Sequence, residues 1–236
     1  MSGNTVGTPN QIRGAYQNFL EFFRIAVEDN NGIMFTPDSP LASWFASSAT
    51  ETVGFKGCIY LKNLQCRRLK AGKRLDVVVV GLEELVKNAP WRIKKSTVYL
   101  NYFTVLGTKA QLVQSLHFDF DENGQAEHPF FHVQLTHELI SDADRQSAKF
   151  DLELNPSPDQ AGECAVTTRI PTPDMTLTSV LYCLAADHLR SDVFQKFAER
   201  VRSIHDRLPL LRFEALRESV MKSPEHFKSP HWFTHR

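Results

Sequence analysis

The chain has no excess of either charge, no paired cysteines, no long apolar run and none of the short motifs that name a reaction. Each absence removes a class of function. Lys plus Arg and Asp plus Glu are 27 each, so the formal net charge is zero. A protein that coats DNA or lies on an anionic membrane is usually basic. Bulk nucleic-acid binding is therefore disfavoured, and only a local basic patch stays open. The four cysteines, Cys58, Cys66, Cys164 and Cys183, include no Cys-x-x-Cys pair and no zinc-ribbon spacing. Scattered through 236 residues, they read as reduced thiols in a reducing compartment. No apolar stretch approaches the roughly 20 residues that span a bilayer. Met1–Asn10 is polar and uncharged, unlike a signal peptide. The expectation is a cytoplasmic protein with no membrane partner. Gly-x-Ser-x-Gly and His-Glu-x-x-His are absent, and no motif demands a cofactor.

What is present is a core. Hydrophobic residues make up 42% of the chain and aromatics 11%, enough for one folded domain over 1–236. Thr8-Pro9 predicts a capped helix over 9–29, with Ile12, Tyr16, Phe19, Phe23 and Ala26 on its apolar face. Residues 35–50, with Pro37 and Pro40, read as a loop pinned by Trp44 and Phe45. Residues 53–170 read as a sheet. Val53, Phe55, Gly57 and Ile59 alternate with Gly54, Lys56, Cys58 and Tyr60. Val77–Val80 is a β-branched run suited to a central strand. Residues 82–88 read as one or two helical turns. Further strands are predicted over 97–105, 111–121, 130–136, 147–154 and 165–170. Thr172 and Pro173 begin helices over about 173–221, with Ser191 capping the second. The tail, 223–236, is rich in Pro, His and aromatics. The fold class is α+β: a mainly antiparallel sheet with an N-terminal helix and a C-terminal helical segment.

One constellation could carry chemistry. On the strand around 115–121, His117 and Asp119 share a face, and on the next strand His132 and Gln134 do. A two-residue Asn123-Gly124 turn would set Ser115 opposite His132, and a loop wider by two would set His117 there. His128-Pro129 disturbs the ladder, because proline cannot donate. In either register the side-chain period of two keeps both imidazoles on the polar face. Two histidines beside a carboxylate can cleave a phosphodiester by acid–base catalysis, with Asp119 orienting a ring. The same groups could instead hold a divalent transition metal, a reading ranked below acid–base chemistry. A solvated sheet face carries such residues as a matter of course, and that reading outweighs both.

The run His117-Phe-Asp-Phe-Asp, Asn123-Gly124, His128-Pro129, His132 resembles the His-bearing hairpin of small bacterial toxin-type proteins from toxin–antitoxin and defence loci. It covers about residues 115–134. The resemblance implies a bacterial setting and a role directed at nucleic acid.

Basic residues cluster at Arg67, Arg68, Lys70, Lys73 and Arg74, and could follow a phosphate backbone. A solvated loop guarding a sheet edge explains them better. Arg169 could bind an anion or pair with Asp174 or Asp187. His188, at a helix end, suits a cation facing the helix dipole. Two functions follow. The first is an interaction or accessory protein of a bacterial multi-protein system, with a protein partner. The second is a nuclease-type hydrolase using His117 and His132 on RNA or DNA, with phosphate held by Arg169 or the 67–74 loop.

Overall fold

The computed structural model describes residues 8–36, 43–47, 52–66, 72–87, 91–121, 131–136, 139–155 and 176–204, without the side chains of 43–47, 131, 132 and 136. Thr8 caps helix α1 (Pro9–Asp29) through a capping box in which Gln11 answers back to the Thr8 amide. Its buried stripe is Ile12, Tyr16, Phe19, Leu20, Phe23 and Val27. The strands are β1 (Ile33–Phe35), β2 (Ser43–Ser47), β3 (Thr52–Leu64), β4 (Arg74–Val86), β5 (Arg92–Leu106), β6 (Lys109–Asp121) and β7 (Phe131–Thr136). They form one antiparallel sheet in the order β1-β3-β4-β5-β6-β7, with β2 also on β3. Helix α2 (Asp142–Ser147) precedes β8 (Glu153–Leu154), which pairs parallel with β6. Helices α3 (Leu177–His188) and α4 (Ser191–Ile204) follow. The α+β class stands. No described helix is long and apolar enough to cross a membrane.

Val77–Val80 is buried on both faces, as its β-branched run predicts. On the first face Ile59, Val79, Leu100 and Phe118 meet Phe19, Phe23, Leu181 and Phe197 of α1, α3 and α4. On the second face Cys58, Tyr60, Val78, Val80, Phe103 and Val105 meet Ile140, Ala148 and Phe150. Those last three belong to a strap, 139–155, that crosses the sheet around α2.

Several elements differ from expectation. Residues 82–86 continue β4, because they pair on both sides, with β3 and with β5. The loop expected over 35–50 contains β2 and follows β1, both on β3. The strand expected over 147–154 begins as helix: the Ser141 side chain caps α2, and only Glu153 and Leu154 join the ladder. Thr176 caps α3, and the expected cap Thr172 lies outside the described residues. The predicted strand 165–170, Pro173, residues 205–221 and the tail lie outside the described residues.

The register of α3 on the sheet is set by two residues on one side of β4. At Gly81, an added Cβ would stand 3.0 Å from Leu177 Cβ and 2.9 Å from its Cδ1. Two residues on, the Glu83 carboxylate is 3% exposed. It accepts from the Leu177 amide at 2.5 Å, the Tyr16 hydroxyl at 2.5 Å and the Ser96 hydroxyl at 3.3 Å. The Leu177 N–H is one of the first-turn donors a helix cannot satisfy itself, and a carboxylate there also meets the positive end of the dipole. Replacing Glu83 by Ala leaves these three donors buried, so urea denaturation is expected to show a loss of about 3 kcal/mol or more. Gly81→Ala is expected to cost about 1–3 kcal/mol through crowding of Leu177. A stability unchanged by both would refute this account of how α3 docks.

Candidate functional site

The ladder registers turn the second face of the sheet into cross-strand rows. One row runs Lys56, Leu82, Thr97, Asp119, His132 across β3 to β7. The next runs Cys58, Val80, Tyr99, His117, Gln134. A third runs Tyr60, Val78, Asn101, Ser115, Thr136. The strap covers Tyr60 and Val78 of the third row and the Cys58 end of the second. Asn101 holds it: its Oδ1 accepts from the Ile140 amide at 2.7 Å while its Nδ2 donates to Ser115 Oγ at 2.6 Å. Lys56 adds an ion pair to Asp144 of α2. Among the described residues, the strap's core contacts stop short of Leu82, Thr97, Tyr99, His117 and Asp119.

There the His117 ring stacks on Tyr99, with centroids 4.3 Å apart and planes at 10°. Its Nε2 lies 3.0 Å from Asp119 Oδ2, the two side chains being 19% and 16% exposed. Leu82 and Tyr99 are 41% and 37% exposed, and the register makes them diagonal neighbours. Around them stand Lys94 with Glu84 at 2.8 Å and Lys95 with Asp121 at 3.5 Å. The patch is therefore two exposed apolar groups within a rim of paired charges.

The structure brings His117 and Asp119 together, and β7 carries His132 opposite Asp119. Neither expected register holds, though both keep the observed parity. The described pairing reaches Phe120–Phe131; residues 122–130, with Asn123-Gly124 and His128-Pro129, lie outside the described residues. His132 thus pairs across with Asp119 and neighbours His117 diagonally.

Of the basic residues, Arg74 does not join this site. Arg74 stands opposite Val105, six residues along β5 from Tyr99 (105 − 99 = 6), about 20 Å at strand rise. Its guanidinium lies 3.1 Å from Asp76, fully buried, which also accepts from the Tyr60 hydroxyl at 2.7 Å and the Asn63 amide at 3.0 Å. Burial, then the hydrogen bond to Asp76, pushes the Tyr60 phenol well up. Lys73 is half-buried at the strand entry. Arg67, Arg68, Lys70 and Arg169 lie outside the described residues. No group of three or more His, Cys, Asp or Glu able to hold a metal occurs among the described residues, a set without the His132 side chain. Cys58 is a free, buried thiol, and Cys66 and Cys183 are half-buried.

Sequence reading passed over Leu82, Tyr99 and Asn101. Composition predicts the strand over 97–105, but only the neighbours across the ladder show which of its faces stays open. Comparison of the chain with protein-family models, curated proteins and solved structures gives no match.

The strap makes a testable statement about Cys58. Burial pushes its thiol up to about 11, so at pH 8 roughly one molecule in a thousand carries the thiolate. Iodoacetamide is expected to modify the half-buried Cys66 and Cys183 first. Asn101→Ala, which unties Ile140, is expected to speed Cys58 labelling at least about tenfold. Equal labelling in wild type and variant would show that Asn101 does not hold the strap.

Proposed function

We propose that the protein is an interaction component that binds a protein partner through the uncovered end of the sheet's second face. The observation that carries this reading is the exposed pair Leu82 and Tyr99 inside its charged rim. An apolar centre with a polar, paired border is how protein interfaces are built. The occupant that suits it is a protein segment seating an aliphatic or aromatic side chain between Leu82 and Tyr99, with polar groups meeting the rim. The zero net charge argues against bulk nucleic-acid binding and fits a protein partner. The cytoplasm is the proposed compartment, on the reduced-thiol reading of the cysteines. An accessory role in a bacterial toxin–antitoxin or defence system rests on the resemblance of 115–134 alone.

One observation favours the second reading, a nuclease-type hydrolase: Asp119 stands 3.0 Å from His117 and across the ladder from His132. In that mechanism one imidazole accepts a proton and the other donates one, and Asp119 orients the His117 ring. A divalent metal on the same groups is its variant.

Two experiments on the purified chain separate the readings. A partner recovered on the wild type, purified and titrated back, is expected to bind Leu82→Asp and Tyr99→Ala at least about tenfold more weakly. Binding indifferent to both substitutions would overturn the interface. RNA and DNA incubated with the protein, with and without EDTA, are expected to stay intact. Cleavage abolished by both His117→Ala and His132→Ala would instead establish the hydrolase, and EDTA would separate acid–base from metal chemistry.

A further inference from the structure

His188 occupies a joint. It is the last residue of α3, and α4 begins three residues later. The buried Asn30, at the end of α1, clamps the backbone on both sides of Leu189. Its Nδ2 donates to the His188 carbonyl at 3.2 Å, and its Oδ1 accepts from the Arg190 amide at 2.9 Å. The Arg190 guanidinium reaches back to the Asp29 carbonyl at 3.2 Å. The imidazole itself is turned inward, with the residue 5% exposed. Nδ1 lies 2.9 Å from the Gln65 carbonyl beyond the end of β3. An acceptor there makes Nδ1 the protonated nitrogen of the neutral ring. Nε2 is then a bare lone pair, and it is buried with no hydrogen-bond partner among the described residues. The Tyr102 ring of β5 stands 5.9 Å away.

This geometry tolerates a neutral ring and penalises a charged one. A second proton would put an N–H at Nε2 with nothing to accept it and a positive charge in the core. The groups facing the ring from α1, β3 and β5 are Asn30, the Gln65 carbonyl and Tyr102, none of which carries a countercharge near neutral pH. Among the described residues, Asp187, on its own helix, supplies the opposing charge acting on it. Arg190, on the far side of the joint, is of the wrong sign. The expected cation at the helix end is thus replaced by a buried ring whose ionisation burial pushes down, the Gln65 hydrogen bond and Asp187 opposing in part.

We propose that His188 is a pH-sensitive latch: neutral, it holds the α3–α4 pair against α1 and the sheet, and its protonation releases that pair before the sheet itself opens. The apolar surface uncovered would be that of Phe19, Phe23 and Phe197, which meet at this layer. The direction follows from linkage. The unfolded or released ring binds a proton with the ordinary value of 6.5, and the latched ring binds it less readily. Stability from the latch is therefore complete above about 6.5 and is lost as pH falls through the lower value of the latched ring.

Hydrogen–deuterium exchange on the full chain, corrected for the intrinsic rate, tests this between pH 7.5 and 5.5. Segments in 177–204 are expected to lose protection about tenfold more than β4 and β5, as local opening ahead of the sheet requires. His188→Asn, whose Nδ2 can donate to Gln65 and which does not titrate, is expected to abolish the difference, and His188→Gln serves if that variant folds poorly. Loss of protection that is uniform across helices and sheet, or equal in the variants, would overturn the latch.

Discussion

The arrangement depends first on one buried carboxylate. Glu83 sits in the middle of the layer between sheet and helices, and three separate elements donate to it: Tyr16 from α1, Ser96 from β5 and the Leu177 amide at the start of α3. A charge taken out of water is tolerated only where its lone pairs are satisfied. This one is satisfied only if α1 and α3 lie where they do. Gly81, one step away on the same side of β4, has no side chain at the point where Leu177 touches the strand. Attraction and clearance are encoded two residues apart, so α3 has one seat. Hydrophobic burial supplies most of the free energy of that layer, but it is non-directional.

Having one face sealed by helices decides what the other can do. The second face must hide Cys58, Tyr60, Val78, Val80, Phe103 and Val105, and among the described residues the strap is what crosses it to do so. Phe150 and Ile140 cover the middle. Asn101, a polar residue 1% exposed, fixes where the cover begins by taking the Ile140 amide. Beyond that point the strands run on, because β4 and β5 are 13 and 15 residues long. The uncovered length is what exposes Leu82 and Tyr99 while leaving their backbone fully paired. Rigidity and exposure together are what a binding surface needs, since little ordering cost remains to be met on association.

The legibility of these features in the sequence was uneven, for physical reasons. Helix α1 was readable to the residue, because Thr8, Pro9 and the apolar spacing are local signals. The continuous Val run announced a doubly buried strand correctly. Residues 82–86 misled, because Leu-Glu-Glu-Leu-Val has helix-forming composition, and strand pairing on both sides overrode it. Nothing local marks Glu83 as buried either, since its partners are 67, 13 and 94 residues distant. Residues 147–150 misled for a different reason. The alternation of Phe150, Leu152 and Leu154 is real, but it fits a strap lying on the sheet as well as a strand within it. His188 was read from its place at a helix end, and the end turned out to point into the core.

The histidine hairpin shows where parity stops and register begins. A period of two was enough to put positions 117, 119, 132 and 134 in one set, and every register considered preserves that set. It was not enough to say who faces whom. With His132 across from Asp119, the carboxylate stands between two histidine positions. The carboxylate stands 3.0 Å from the His117 imidazole, and the parallel stack on Tyr99 fixes the ring. A ring so held is suited both to acid–base work and to forming one firm wall of a docking surface. What distinguishes these uses is the supply of phosphate-binding charge: Arg74 is about 20 Å along the strand and already committed to Asp76, and Lys94 and Lys95, beside the patch, pair with Glu84 and Asp121, which weighs for the wall.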